Sequence, residues 1–251
     1  MTASPPPVAS LLDLEGLVAV VTGSSGNIGA GIARRLHEAG GSVVAHGRKV
    51  PAVAAELGER AASVTGDVER DAAAICAAAV EAFGRLDVVV NNAGIQPVAP
   101  LMELGSEEVA EILRINVAGV AAMTREAAAR MPSGGAIVNI GSIEGLQPAV
   151  LHSHYAASKA AVIMHTRAAA LELGPQGIRV NCVSPGLIDA PGFEEAWPEG
   201  LARWRAAAPL HRLGTPLDVA DAVLFLVSPA ARWVSGANLV VDGGVLAHNT
   251  W

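Results

Sequence analysis

At 251 residues, with 51% hydrophobic and 16% charged side chains, the chain has room for one large α/β domain and is too apolar to be disordered. A formal net charge of -7 without any lysine and arginine cluster excludes a nucleic-acid binder, and the absence of about 18 consecutive apolar residues excludes a membrane-spanning helix. Two cysteines, Cys76 and Cys182, make no CxxC pair, which fits a reduced, cytoplasmic protein.

Residues 1–13 contain Pro5-Pro6-Pro7 and neither a basic nor an apolar leader region, so they read as a flexible tail. The apolar run 17–21 predicts a strand covered on both faces, followed by a glycine-rich turn and a helix over 27–39. Next come a strand over 42–45, a helix over 51–59, a strand over 62–65 and a helix over 71–83 capped by Asp71. A strand over 87–90 leads to a helix over 106–130, capped by Ser106, acidic at Glu107 and Glu108, and stopped by Pro132 and Gly134. The remaining expectations are a strand over 136–140, a helix over 154–173, a strand over 178–183, a weakly helical cover over 190–208, a helix over 216–227 and a strand over 238–241. This βαβα order predicts a single doubly wound Rossmann-type α/β domain, with a parallel seven-stranded sheet and helices on both faces. The domain spans 14–245, carries a lid at about 190–210, and leaves 246–251 as a C-terminal tail. Ligands of such sheets sit beyond the carboxyl ends of the strands.

Three patterns fall at those strand ends. Gly23, Gly26 and Gly29 recur in steps of three between the first strand and its helix, as a phosphate cradle or a tight packing turn requires. Positions 39–55 contain no acidic residue to hold a ribose 2′-hydroxyl; Arg48, beside Lys49, stands there instead and suits a 2′-phosphate unless both are simple solvated charges. Tyr155, the single tyrosine, and Lys159 are one helical turn apart, and Ser142 lies thirteen residues upstream at a strand end. A phenol beside an ammonium can exchange a proton with a forming alkoxide, and a serine hydroxyl can polarise a carbonyl.

With these motifs in order, the sequence resembles the short-chain dehydrogenase/reductase family over about 14–244. Asp67-Val68, Asn91-Asn92-Ala93-Gly94, Asn116, Pro185-Gly186, Ser235-Gly236 and Val241-Asp242-Gly243-Gly244 complete the likeness. The resemblance implies that Tyr155 is the acid/base, that Lys159 binds the nicotinamide ribose and tunes Tyr155, that Ser142 orients the substrate, and that Asn116 holds a relaying water. It also implies a cofactor site made by Gly23, Ser25, Asn27, Ile28, Gly29, Arg48, Asp67, Val68, Asn91, Ala93, Gly94, Pro185, Gly186 and Ile188, with Asp67 and Val68 at the adenine. Ala190 stands where the family often has a hydroxyl residue, which leaves the nicotinamide amide to the backbone.

The expected activity is interconversion of a ketone or aldehyde and an alcohol with NADP(H). An NAD(H)-dependent alcohol or polyol dehydrogenase and a non-catalytic NADP(H)-binding regulator are the alternatives. Gln96, Glu144, Gln147, Leu187 and Trp197 are the candidate substrate contacts, with His152 and Trp204 nearby. No metal is expected, because His152 and His154 lack further ligands. The partners expected are a small-molecule substrate and further copies of the chain, as a homotetramer or a homodimer, without nucleic acid or membrane.

Overall fold

The computed structural model describes residues 6–131 and 134–247. The first five residues, the expected helix stop at Pro132 and the tail residues 248–251 lie outside the described residues. Seven strands form one parallel sheet in the order β3-β2-β1-β4-β5-β6-β7. They are β1 (Val18–Val21), β2 (Ser42–Gly47), β3 (Ala61–Thr65), β4 (Val88–Asn91), β5 (Gly135–Ile140), β6 (Ile178–Pro185) and β7 (Asn238–Val241).

Val18 and Val20 point into one apolar cluster, and Ala19 and Val21 into the other. Side chains alternate across a strand, so a continuous apolar run is what a strand buried on both faces needs. The cluster of Ala19 and Val21 is closed by α1 (Asn27–Glu38), α2 (Ala52–Leu57) and α9 (Pro216–Val227), through Ile32, Leu36, Val53, Val219 and Val223. The opposite face carries α3 (Ala72–Phe83), α5 (Gly119–Ala128) and α6 (Ser153–Leu173), through Ile75, Met123 and Ala169. Chain order reverses between β1 and β4, which places the switch point of the sheet beside the glycine turn. Among the described residues no helix is long and apolar enough to cross a membrane.

Several local expectations need correction. Asp71 precedes α3 but does not cap it: its carboxylate accepts from the Asp67 N–H at 2.7 Å and braces the preceding turn instead. Ser106 is the first helical residue, and Gly105 occupies the cap position. The expected long helix over 106–130 runs from Ser106 to Ala128 and contains a π-helical turn (Arg114–Ala118) between α4 (Ser106–Leu113) and α5. Such turns re-aim a side chain, and the one re-aimed here is Asn116. The cover is two short helices, α7 (Phe193–Ala196) and α8 (Pro198–Ala207), separated by Trp197 at φ −149° and ψ 52°. In the segment expected to be a tail, Val8–Ser10 forms a 3-10 turn, and the Leu11 carbonyl accepts from Ala230 N–H at 3.1 Å.

Candidate active site

A cleft of about 790 Å³ opens over the carboxyl ends of the central strands. Its floor begins with the glycine turn. Gly23 has φ +66°, and a side chain there would meet the backbone of Ala93 at 2.8 Å. A Cβ at Gly29 would run into the Gly23 carbonyl and stand 2.5 Å from Asn92 Nδ2. Asn92 clamps this turn by donating to the carbonyls of Thr22 (2.9 Å) and Gly23 (3.1 Å). Thr22 Oγ1 accepts in return from the N–H groups of Asn92 and Ala93. No side chain caps α1, so the N–H groups of its first turn are left for an anion. Gly23, Asn27, Ile28, Gly29, Ala93, Gly94, Pro185, Gly186 and Ile188 all line the cleft. Asn27 Nδ2 also donates to the Asp189 carbonyl, tying the turn to the loop after β6.

The remaining expected cofactor contacts lie beyond the cleft wall. Arg48 is exposed just past the end of β2, and exposed Ser25 lies over Gly47. Asp67 follows β3, and its carboxylate accepts from Glu69 N–H (2.9 Å) and Arg114 (3.1 Å). Burial pulls the Asp67 carboxyl upward, but those donors outweigh it and hold the group below its ordinary value. Val68 is buried against Gly119, where a Cβ would come within 2.6 Å of it. Asn91, at the end of β4, is buried; its Nδ2 donates to Asn139, while its Oδ1 has no hydrogen-bond partner among the described residues.

Sequence reasoning missed two buried supports. His46 Nδ1 accepts from Gly23 N–H at 3.4 Å and Nε2 meets the Gly66 carbonyl at 3.1 Å, so the ring latches the glycine turn to the end of β3. Burial lowers its pKa, which keeps the ring neutral and able to accept. Asn139 donates to Thr166 Oγ1 at 2.9 Å and accepts from Asn91, joining β4, β5 and α6 in one polar chain. The available signal was a polar residue inside or ending an otherwise apolar strand, where an unpaired amide or imidazole would be costly.

Tyr155 and Lys159 project from α6 into the cleft, both under 10% exposed. Lys159 Nζ donates to the Ile140 carbonyl at 2.8 Å and lies 5.6 Å from the centre of the Tyr155 ring. Asn116 accepts from Ile95 N–H and donates to the Ile95 carbonyl and Ser158 Oγ. A Cβ at Gly94 would lie 3.0 Å from Asn116 Oδ1 and 3.7 Å from Lys159 Nζ, so the missing side chain leaves a gap between those two groups. Burial pushes the Tyr155 phenol up to about 12; the Ser142 hydroxyl pulls it down and the Glu144 carboxylate pushes it further up. Burial draws Lys159 down to about 8. In the chain by itself, burial dominates both groups.

On the other wall, Glu144 Oε2 meets His152 Nδ1 at 2.8 Å, and Gln96 Nε2 donates to Glu144 Oε1 at 3.2 Å. The Glu144 N–H donates to Ser142 Oγ at 3.1 Å. Leu187 and Trp197 also line the cleft. Gln147 does not: it is exposed on the turn beyond, because the 3-10 segment Ile143–Gly145 carries the chain away from the wall. The Trp204 ring lies on Gly186, where a Cβ would stand 2.8 Å from it.

A doubly wound parallel sheet with a glycine turn at its switch point, and a cleft above it, defines a dinucleotide-binding α/β protein. A family model described as Enoyl-(Acyl carrier protein) reductase matches residues 23–246. Cis-4-hydroxycyclohexanecarboxylate dehydrogenase of Sinomonas cyclohexanicum is 42% identical, over 92% of this chain and 96% of that one. 3beta-hydroxysteroid dehydrogenase 1 of Eggerthella lenta is 38% identical, over 94% and 96%. A crystal structure from Sinorhizobium meliloti 1021, described as a short-chain alcohol dehydrogenase, superposes with a TM-score of 0.90 at 34% identity, covering 95% of this chain and all of that one. The chain belongs to the short-chain dehydrogenase/reductase family. It is an NAD(P)-dependent oxidoreductase acting between alcohols and ketones.

Proposed function

We propose that the enzyme interconverts a secondary alcohol and its ketone with NADP(H), using Tyr155 as the proton donor and acceptor. The observation that carries this reading is the meeting of Ser142, Tyr155 and Lys159 in one cleft with the glycine turn. The residues fit a dinucleotide: uncapped N–H groups open α1, and Gly23 and Gly29 admit no side chain. When bound, the cofactor supplies or accepts the hydride. Exposed Arg48 just past the end of β2, with the Ser25 hydroxyl over Gly47 and no acidic residue over positions 39–55, supports a 2′-phosphate. The two relatives are each named for a substrate with a hydroxyl on a ring, which supports a secondary alcohol here.

In the reductive direction the Ser142 and Tyr155 hydroxyls hold the carbonyl oxygen, and Tyr155 gives its proton to that oxygen as negative charge develops. A phenol pushed up to about 12 remains protonated at neutral pH and is ready to donate. Lys159 restores the proton through the gap at Gly94, where Asn116 Oδ1 can hold a water. The intact relay speaks against a regulator that only senses the cofactor. The reading extends to a cytoplasmic homotetramer, or a homodimer, in which exposed Leu113, Met164 and Leu171 on α4 and α6 are covered by a second copy.

The test is a carbonyl and alcohol panel with NADPH and NADH. Tyr155→Phe should lower kcat by roughly 10²–10⁴-fold on the best substrate. Arg48→Ala should raise KM for NADPH by about tenfold or more and leave KM for NADH unchanged. Substantial Tyr155→Phe activity would remove the acid/base assignment. An equal cofactor preference before and after Arg48→Ala would remove the NADP(H) assignment.

A further inference from the structure

The acceptor character of the wall facing Tyr155 goes beyond a general alcohol site. Glu144 uses one oxygen for His152 and the other for Gln96. An ionised carboxylate only accepts, and two of its roughly four acceptor positions remain free. Nδ1 of His152 faces that carboxylate, so a ring in its neutral form carries its proton there and offers Nε2 as an acceptor. Gln96 spends its amide N–H on Glu144, which leaves Oε1 as a third acceptor. All three residues line the cleft, and neither His152 Nε2 nor Gln96 Oε1 has a hydrogen-bond partner among the described residues. Both groups are open to the cleft and free to accept from a ligand there.

Its position relative to the reacting oxygen is also fixed. Glu144 is joined to Ser142 through its own N–H at 3.1 Å, and the His152 ring stands edge-on to Tyr155 with centres 6.0 Å apart. The acceptors therefore border the place where Ser142 and Tyr155 would hold the oxygen. The rest of that end of the cleft is apolar, with Ile95, Val98, Leu187, Phe193 and Trp197.

We propose that the Gln96–Glu144–His152 cluster selects substrates bearing a second hydroxyl on the carbon beside the reacting one, a vicinal diol in oxidation and an α-hydroxy ketone in reduction. The proposal rests on the Ser142–Tyr155 reading above. In the oxidation, the reacting carbon loses a hydride to NAD(P)+ and its oxygen loses a proton to Tyr155. The neighbouring hydroxyl keeps its proton and donates it in a hydrogen bond to Glu144. The carboxylate repels an acidic substituent at the same place.

The experiment compares kcat/KM for cis-1,2-cyclohexanediol, cyclohexanol, 2-aminocyclohexanol and 2-hydroxycyclohexanecarboxylate, using wild type, Glu144→Gln and Glu144→Leu. Because the substrates share the cofactor and Tyr155, the diol-to-monoalcohol ratio cancels any effect of the substitution on the chemical step or on the folded fraction. Wild type should prefer the diol by on the order of 10- to 100-fold, as for a hydrogen bond to a charged group. The ratio should fall at least threefold in Glu144→Gln and to near unity in Glu144→Leu. Turnover of cyclohexanol without a diol preference, or a preference that survives Glu144→Leu, would overturn the inference and leave the alcohol-oxidation reading standing. A stronger preference for the amino alcohol would overturn it in favour of an ammonium site. No turnover of any alcohol by cofactor-saturated wild type would remove the underlying reading and the inference together.

Discussion

Around the glycine turn between β1 and α1, the cleft is made of backbone. Asn92 and Thr22 bond to main-chain groups, His46 bonds to Gly23 N–H and the Gly66 carbonyl, and Gly23 and Gly29 are held where a Cβ has no room. Across the cleft the wall is made of side chains: Glu144, His152, Gln96, Trp197 and Trp204 define its surface, and much of it belongs to short helices and loops. The first region can hold an invariant chemical group through N–H groups that every residue has. The second can change its ligand by changing side chains, with little demand on the fold. A backbone-built wall should therefore fail as a unit when one atom is added, whereas a side-chain wall should fail one contact at a time.

Gly29→Ala is the largest expected break in the comparison. Its methyl group would push into the Gly23 carbonyl and Asn92 together, which predicts about 1–3 kcal/mol of destabilisation and a large loss of dinucleotide affinity. Urea unfolding and a fluorescence titration with NADPH measure both. Unchanged stability together with unchanged affinity would show that the turn yields more easily than its packing implies.

Lys159 sits where the two regions meet, and it separates function from stability. Its folded value of about 8 lies below the ordinary 10.5, so burying the charged amine opposes folding below pH 8. That penalty fades as pH rises from 8 toward 10.5. Lys159→Met should therefore lose turnover yet gain about 1–3 kcal/mol at pH 7, less whatever the stranded Ile140 carbonyl costs, and the gain should shrink by pH 10. Urea denaturation at both pH values tests it. A variant that is less stable at pH 7 would mean that the bond to Ile140 outweighs desolvation.

The smallest effect is expected on the side-chain wall. A Cβ at Gly200 would strike the Trp197 ring, although Trp197 is about half exposed and free to move aside. Gly200→Ala should raise KM for the carbonyl substrate several-fold, leave NADPH affinity unchanged and change stability by less than about 0.5 kcal/mol. Loss of NADPH binding in this variant would show that the two walls are mechanically coupled.

The sequence by itself determined the parallel sheet, the glycine turn and the placing of Ser142, Tyr155 and Lys159 at its carboxyl edge. Uninterrupted apolar runs require burial on both faces, and a one-turn spacing on a helix fixes a shared face whatever the surroundings. Only the tertiary structure decided what lies across chain gaps of tens of residues. It set a π-helical turn at Arg114–Ala118 around Asn116, bound His46 to Gly23 and Gly66, and set Gln96 against Glu144 while leaving Gln147 outside. It also buried Tyr155, which pushes the phenol upward, because the cost of removing a phenolate from water depends on burial, which no local spacing encodes.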